Sequence, residues 1–237
     1  MKDEFIPTQN YQKFQSLAAE LLASTHGVEL AAVTGRAGRG KSSAAEKLFA
    51  TNPHTVYVLY KEDDSYGDLL REITFRLGGA RPRIKQHCFE IINSELAKHR
   101  RLIMVDEADR MNMKLLNGLR NIHDITKAPI MLIGEDILRS KLANEQRLIS
   151  RVRDILPFEP VGQPDVVIFY RKNLDLALTP EHAARLLRHC AGDFRAVMTD
   201  AVYLERIMKT SGLSVITDAV IEEVCKRQLV KDRKWAA

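Results

Sequence analysis

Gly35-Arg36-Ala37-Gly38-Arg39-Gly40-Lys41-Ser42 is the stretch that most limits what this chain can become. It has the spacing G-x-x-x-x-G-K-[ST], in which a glycine-rich backbone curls around phosphate with its N–H groups pointing inward. The apolar run Leu30-Ala31-Ala32-Val33 predicts a buried strand leading in, and Ser43-Ala44-Ala45-Glu46-Lys47-Leu48 predicts a helix leading out. Phosphate would then rest on a helix N-terminus, where unpaired N–H groups and the helix dipole favour negative charge. Gly35, Arg36, Ala37, Gly38, Arg39, Gly40, Lys41, Ser42 and Ser43 are therefore the expected nucleotide-binding residues. Lys41 is expected to reach the β- and γ-phosphates of ATP, and the Ser42 hydroxyl to ligate Mg²⁺.

Strands and helices alternate on both sides of this loop. Apolar or alternating runs at Leu30–Thr34, Thr55–Tyr60, Arg101–Val105, Pro129–Gly134 and Asp154–Phe158 predict five strands. Between them lie helical patterns at Asp68–Leu77, Arg83–His99, Lys114–Ile125 and Ile137–Ser150, with a further helix from Phe5 to His26. This layout predicts an α/β fold built on a parallel sheet. After Pro160-Val161-Gly162-Gln163-Pro164 the pattern is helical only, over Asp165–Leu176, Pro180–Ala191, Phe194–Ser211 and Thr217–Leu229. The expected division is a nucleotide-binding α/β domain over 1–160 and a helical domain over 161–237.

Hydrolysis needs more than a phosphate cradle. Leu102-Ile103-Met104-Val105-Asp106-Glu107 carries two carboxylates to the tip of an apolar strand, at the edge where open α/β sheets bind ligands. Asp106 is expected to hold Mg²⁺, and Glu107 to orient and deprotonate the attacking water. The tetrad Asp106-Glu107-Ala108-Asp109 also spells the helicase DEAD signature, but helicases need two tandem α/β lobes and this chain has room for one.

Composition narrows the class further. No apolar run approaches the ~20 residues of a membrane helix, and Met1-Lys2-Asp3-Glu4-Phe5 lacks the apolar core of a signal peptide. Cys88, Cys190 and Cys225 are scattered and odd in number, which argues against a disulfide framework or zinc site and for a reducing cytoplasm. The seven histidines form no ligand pattern and read as surface or packing residues. The net charge of +5 suits a polyanionic partner.

With these motifs in place, the chain resembles the AAA+ ATPases over nearly its whole length: a helical lead, a five-stranded core and a C-terminal helical lid. The resemblance implies three further landmarks. A polar sensor is usual at the fourth strand's tip, but Leu132-Ile133-Gly134-Glu135-Asp136 lacks the customary Asn, Thr or Ser, leaving Glu135 as a stand-in. An arginine finger, reaching a neighbouring subunit's γ-phosphate, is implied in Gln146–Arg153, with Arg151 first and Arg153 and Arg147 behind it. Gly192-Asp193-Phe194-Arg195 has the G-x-x-R form of a second sensor, so Arg195 is implied to touch the γ-phosphate.

Within AAA+, the wording of the core resembles the MuB-like target-capture ATPases of transposing phages: Val33–Ser42, then Ile103–Asp109, then Met131–Glu135. That resemblance implies ATP-dependent assembly as a homo-oligomer on duplex DNA, capture of target DNA, and activation of a transposase that in turn stimulates hydrolysis. Arg81, Arg83 and Lys85, in a loop bounded by glycine and proline, are the first expected DNA contacts. Lys98, Arg100 and Arg101 form the next cluster, followed by a third of Lys226, Arg227, Lys231, Arg233 and Lys234. Aromatic residues are too sparse among these to favour base stacking. Other roles open to the same motifs are a DNA-associated loader or initiator, and an ATP-driven regulator of another protein.

Overall fold

The computed structural model describes residues 1–24 and 29–227. The chain gathers into two compact units. One holds Tyr11–Arg36 and Lys41–Phe158; the other holds Met1–Asn10, Ala37–Gly40 and the chain from Glu159 on.

The first unit is α/β. Its strands are β1 (Leu30–Thr34), β2 (Thr55–Leu59), β3 (Leu102–Asp106), β4 (Ile130–Ile133) and β5 (Val152–Pro157). All pair in parallel, in the order β2-β3-β4-β1-β5. Every residue of β1, β3 and β4 is buried, which is why these segments read as unbroken apolar runs. The helices of this unit are α1 (Gln9–Ala23), α2 (Lys41–Thr51), α3 (Tyr66–Gly78), α4 (Lys85–Lys98), α5 (Met113–Thr126), α6 (Ile137–Ala143) and α7 (Gln146–Ile149). Leu70, Ile73, Ile92, Leu116, Leu119 and Ile122 fill its core against the sheet residues.

The expected single helix over Ile137–Ser150 is two helices. Leu138 and Leu142 are buried one turn apart, but the next turn offers Glu145 and Gln146. The chain breaks in an extended Glu145 and restarts so that Leu148 is buried instead. The first helix is also shorter than expected, beginning after Pro7, and His26 lies outside the described residues.

Arg100, expected to face DNA, is a clasp inside this unit. Its guanidinium donates to the carbonyls of Leu22 (3.2 Å) and Ser24 (2.7 Å) at the end of α1, and to Lys127 (2.9 Å) after α5. It also pairs at 2.8 Å with the buried carboxylate of Glu29, just before β1. All three guanidinium nitrogens are thus engaged within the unit.

The second unit is helical: α8 (Gln163–Leu174), α9 (Pro180–Cys190), α10 (Phe194–Thr210) and α11 (Asp218–Lys226). Thr179, Asp193 and Thr217 cap the last three, each side chain accepting an N–H of the first turn. Val166, Phe169, Leu186, Leu204 and Ile221 form its core. The N-terminal strand of chain is tied in by Ile6, which is buried there, and by the Lys2 N–H donating to the Asn173 carbonyl at 2.7 Å. No helix among the described residues is long and apolar enough to cross a membrane.

Candidate nucleotide-binding site

In the sheet order, β1 and β3 flank β4, so the residues that follow them sit about two strand spacings apart, roughly 10 Å. The chain leaves β1 into the glycine loop and leaves β3 at Asp106 and Glu107. All three tips lie on one edge of a parallel sheet, the edge where such folds bind ligands.

Gly38 and Gly40 adopt left-handed φ of 79° and 87°, which turn successive N–H groups toward one side of the loop. Helix α2 opens at Lys41 and has no acidic residue in its first turn to offset its positive end. Ser42 and Ser43 belong to that turn. The Lys41 ammonium donates to the Gly35 carbonyl at 2.6 Å and the Arg36 carbonyl at 3.1 Å. Burial pulls its pKa down from the ordinary lysine range, and the charges of Glu135, Asp106, Asp109 and Asp136 push it back up. A cation held among dipoles at an unopposed helix N-terminus is the arrangement a polyphosphate fits.

Asp106 is 2% exposed at the end of β3. Its Oδ2 accepts the Tyr57 hydroxyl at 2.9 Å and its Oδ1 accepts the Glu107 N–H at 2.9 Å. A carboxylate has about four acceptor positions, so both oxygens keep capacity for a metal's water shell. Tyr57 was not among the expected residues. It lies on β2, where alternation hides nothing unusual, and only the parallel pairing with β3 brings its hydroxyl to Asp106. Burial and the Asp106 charge hold that phenol protonated far above its ordinary range.

Glu107 takes a left-handed φ of 58°, uncommon for a residue with a side chain, and starts a single 3-10 turn, Ala108–Arg110. Its carboxylate accepts from Arg110 Nε at 2.9 Å. The turn folds Asp109 over the tip of β4, and a Cβ on Gly134 would lie 2.8 Å from the Asp109 nitrogen and 2.5 Å from its Oδ1. That close approach explains why no Asn, Thr or Ser stands at this tip. Glu135 and Asp136 follow as exposed residues. Lys141 of α6 holds the turn from below, donating to the carbonyls of Asp109 and Met111.

The loop's tip, Ala37–Gly40, belongs to the helical unit, where it meets the Gly192–Arg195 segment. The Phe194 N–H donates to the Gly38 carbonyl at 2.9 Å. Arg39 donates to the carbonyls of Gly192 and Ala191. Arg195 opens α10 with its side chain exposed.

The remaining expected residues lie apart. Arg151 pairs with Asp124 at 3.4 Å and Arg153 with Glu20 at 3.3 Å, both on the exposed side of β5's start, and Arg147 is exposed on α7. Arg81 pairs with Glu72 at 2.7 Å and lies 4.1 Å over the Phe75 ring. Arg83 and Lys85 are exposed, and Lys98 pairs with Glu95. Lys231, Arg233 and Lys234 lie outside the described residues.

Comparison with known proteins agrees with this geometry. Residues 25–142 match a family described as an AAA domain. A potential ATP-binding protein of Staphylococcus aureus is 28% identical over 138 residues, 54% of this chain and 51% of that protein. The ATP-dependent target DNA activator B of Escherichia phage Mu is 27% identical over 126 residues, 52% of this chain and 40% of that protein. The chain thus spans about half, or less, of the length of these curated relatives. Among solved structures, the ADP form of Aeropyrum pernix ORC2 superposes with a TM-score of 0.68 at 13% identity, over 95% of this chain and 69% of that one. The Thermotoga maritima RuvB branch migration motor gives 0.64 at 16%, over 94% and 70%. The chain belongs to the AAA+ ATPases, a class of P-loop proteins. Within that class it is a MuB-like member, related to the activator B proteins of phages Mu and D108.

Proposed function

We propose that this protein is an ATP-hydrolysing, DNA-binding switch that assembles on duplex DNA, captures it as a transposition target and activates a transposase. The observation that carries the reading is the placement of Asp106 and Glu107 at the tip of β3, on the same edge of the parallel sheet where β1 runs into the glycine loop. The kinship with the target DNA activators supports the choice of DNA over other partners.

In this reading the loop N–H groups of Gly35–Ser43 hold the phosphates of ATP, and Lys41 turns from the Gly35 and Arg36 carbonyls to the β- and γ-oxygens. Mg²⁺ would be held by the Ser42 hydroxyl and, through water, by Asp106, and supplies charge neutralisation at the transferring phosphoryl group. Tyr57 keeps the Asp106 carboxylate oriented. Glu107 leaves Arg110 and takes a proton from the attacking water. Arg195 reaches the nucleotide from the start of α10, which is hydrogen-bonded to the same loop tip. Arg151, or its neighbours Arg153 and Arg147, serves a second copy of the chain as an arginine finger, so that hydrolysis waits for assembly. Arg81, Arg83 and Lys85 meet DNA phosphates without reading sequence.

Electron microscopy of the protein with a slowly hydrolysed ATP analogue tests assembly directly. Ordered oligomers on duplex DNA that vanish without nucleotide are expected. Isolated single molecules under every condition would rule the reading out.

A further inference from the structure

Far along the chain from the loop, the helical unit buries a group of side chains that the ATPase chemistry does not use. His189 and Cys190 end α9, and Asp200 projects from the middle of α10. One atom from each, an imidazole nitrogen, a thiol sulfur and a carboxylate oxygen, lie within 4.8 Å of one another. His189 Nδ1 is 2.8 Å from Asp200 Oδ2, and Cys190 Sγ is 3.0 Å from the same oxygen.

This cluster sits in an apolar core. Asp200 is 0% exposed and Cys190 2% exposed, amid Leu186, Val197, Leu204 and Ile221. A carboxylate so buried is costly unless each oxygen is met. The second oxygen, Oδ1, has no hydrogen-bond partner. Nor does the buried hydroxyl of Tyr170 on α8. Burial first, then the charges of Asp200 and Cys190, push the Tyr170 phenol well above its ordinary range. The cluster thus holds a buried carboxylate oxygen with no hydrogen-bond partner.

We propose that His189 Nδ1, Cys190 Sγ and the Asp200 carboxylate bind a divalent, sulfur-tolerant cation, with zinc as the best fit. The donor set is one nitrogen, one sulfur and one oxygen, which suits zinc and excludes the hard magnesium ion of the nucleotide site. Zinc bonds of about 2.0–2.3 Å place tetrahedral ligands roughly 3.3–3.8 Å apart, so Nδ1 and Sγ need to open from Asp200 Oδ2 by less than about 1 Å. Charge balance favours it as well. A thiolate, a carboxylate and a neutral imidazole cancel the charge of the cation and leave a neutral buried group. The other ring nitrogen, Nε2, lies 2.9 Å from the Arg227 carbonyl, the outer partner that orients a metal-bound histidine. A water completes the fourth position.

The spacing of these residues hides the site in the sequence, because the third ligand comes ten positions later on another helix. The turn joining the two helices is Ala191-Gly192-Asp193, which presents Phe194 and Arg195. A cation here would pin that helical hairpin.

Chelator-treated, full-length protein titrated with cobalt(II) and then zinc tests the inference. One cobalt per chain is expected, with thiolate charge-transfer absorption and the visible bands of a tetrahedral site, both abolished by added zinc. Cys190→Ser should lose the charge-transfer band while Cys88→Ser keeps it. Asp200→Asn, nearly isosteric, should weaken zinc at least as much as loss of an outer partner does, about 10–100-fold. Zinc should also raise the melting temperature of the wild type and not of Asp200→Asn. Cobalt spectra of the octahedral aqua ion alone, or zinc that leaves wild-type melting unchanged, would overturn it.

Discussion

Asp106 is held in the fold by the same two oxygens that the proposed chemistry would use. Tyr57 and the Glu107 N–H fix its carboxylate, so that a residue at 2% exposure holds one orientation. Gly134 has a similar double meaning. Its lack of a side chain looked like a missing sensor, but it makes room for Asp109 and the turn that carries Glu107. Gly134→Ala should therefore cost about 1–3 kcal/mol by overpacking. It should lower ATP turnover more than nucleotide affinity, because the displaced turn bears Glu107, the proposed general base, and not the phosphate loop. Urea unfolding, equilibrium nucleotide binding and turnover on the same variant check this together. Equal losses in affinity and turnover would mean that the turn is not what moved.

Among elements, what could be read in advance depended on how a segment is buried. β1, β3 and β4 are buried on every residue, so their apolar runs announced them. The loop between β1 and α2 announced itself through residue types that few other structures need. Pairwise contacts between distant segments left no such trace: the Arg100 clasp, the Tyr57–Asp106 bond and the Asp109–Gly134 approach all depend on tertiary placement. The break between α6 and α7 left a faint one, in the apolar phase slip after Leu142. Helix α3 shows local chemistry at its plainest. Ser65 and Asp68 form a reciprocal capping box, and the bonds from the Ser65 hydroxyl and N–H, with Arg71 beside them, hold the Asp68 carboxyl down at about 2. Ser65→Ala should cost about 1 kcal/mol at neutral pH. A carboxyl whose pKa is depressed by folding stabilises the native state above its unfolded value of 3.8, and that part is lost as pH falls toward about 2. The stability gap between wild type and Ser65→Ala, measured by denaturant titration, should accordingly narrow between pH 5 and about 2. A gap independent of pH would show that Asp68 does not share in the cap.

At the scale of the whole molecule, the α/β unit contains Lys41, Asp106 and Glu107, and the helical unit contains Ala37–Gly40 and Arg195. The AAA+ class was legible from the motifs at β1 and β3, whose order and spacing only a few sheet topologies satisfy. The DNA contacts were not, because exposed arginines such as Arg81 look alike in sequence whether they pair with Glu72, stack on Phe75 or await a phosphate. In the proposed function, Glu107 drives an ATP hydrolysis governed by duplex DNA. ATP turnover by wild type and Glu107→Gln, each with and without duplex DNA, tests it most directly. A wild-type rate that rises on DNA is expected, with a Glu107→Gln rate lower by about 10²–10⁴-fold and ATP binding retained. A Glu107→Gln protein that turns over like wild type, or a wild-type rate indifferent to DNA, would contradict it.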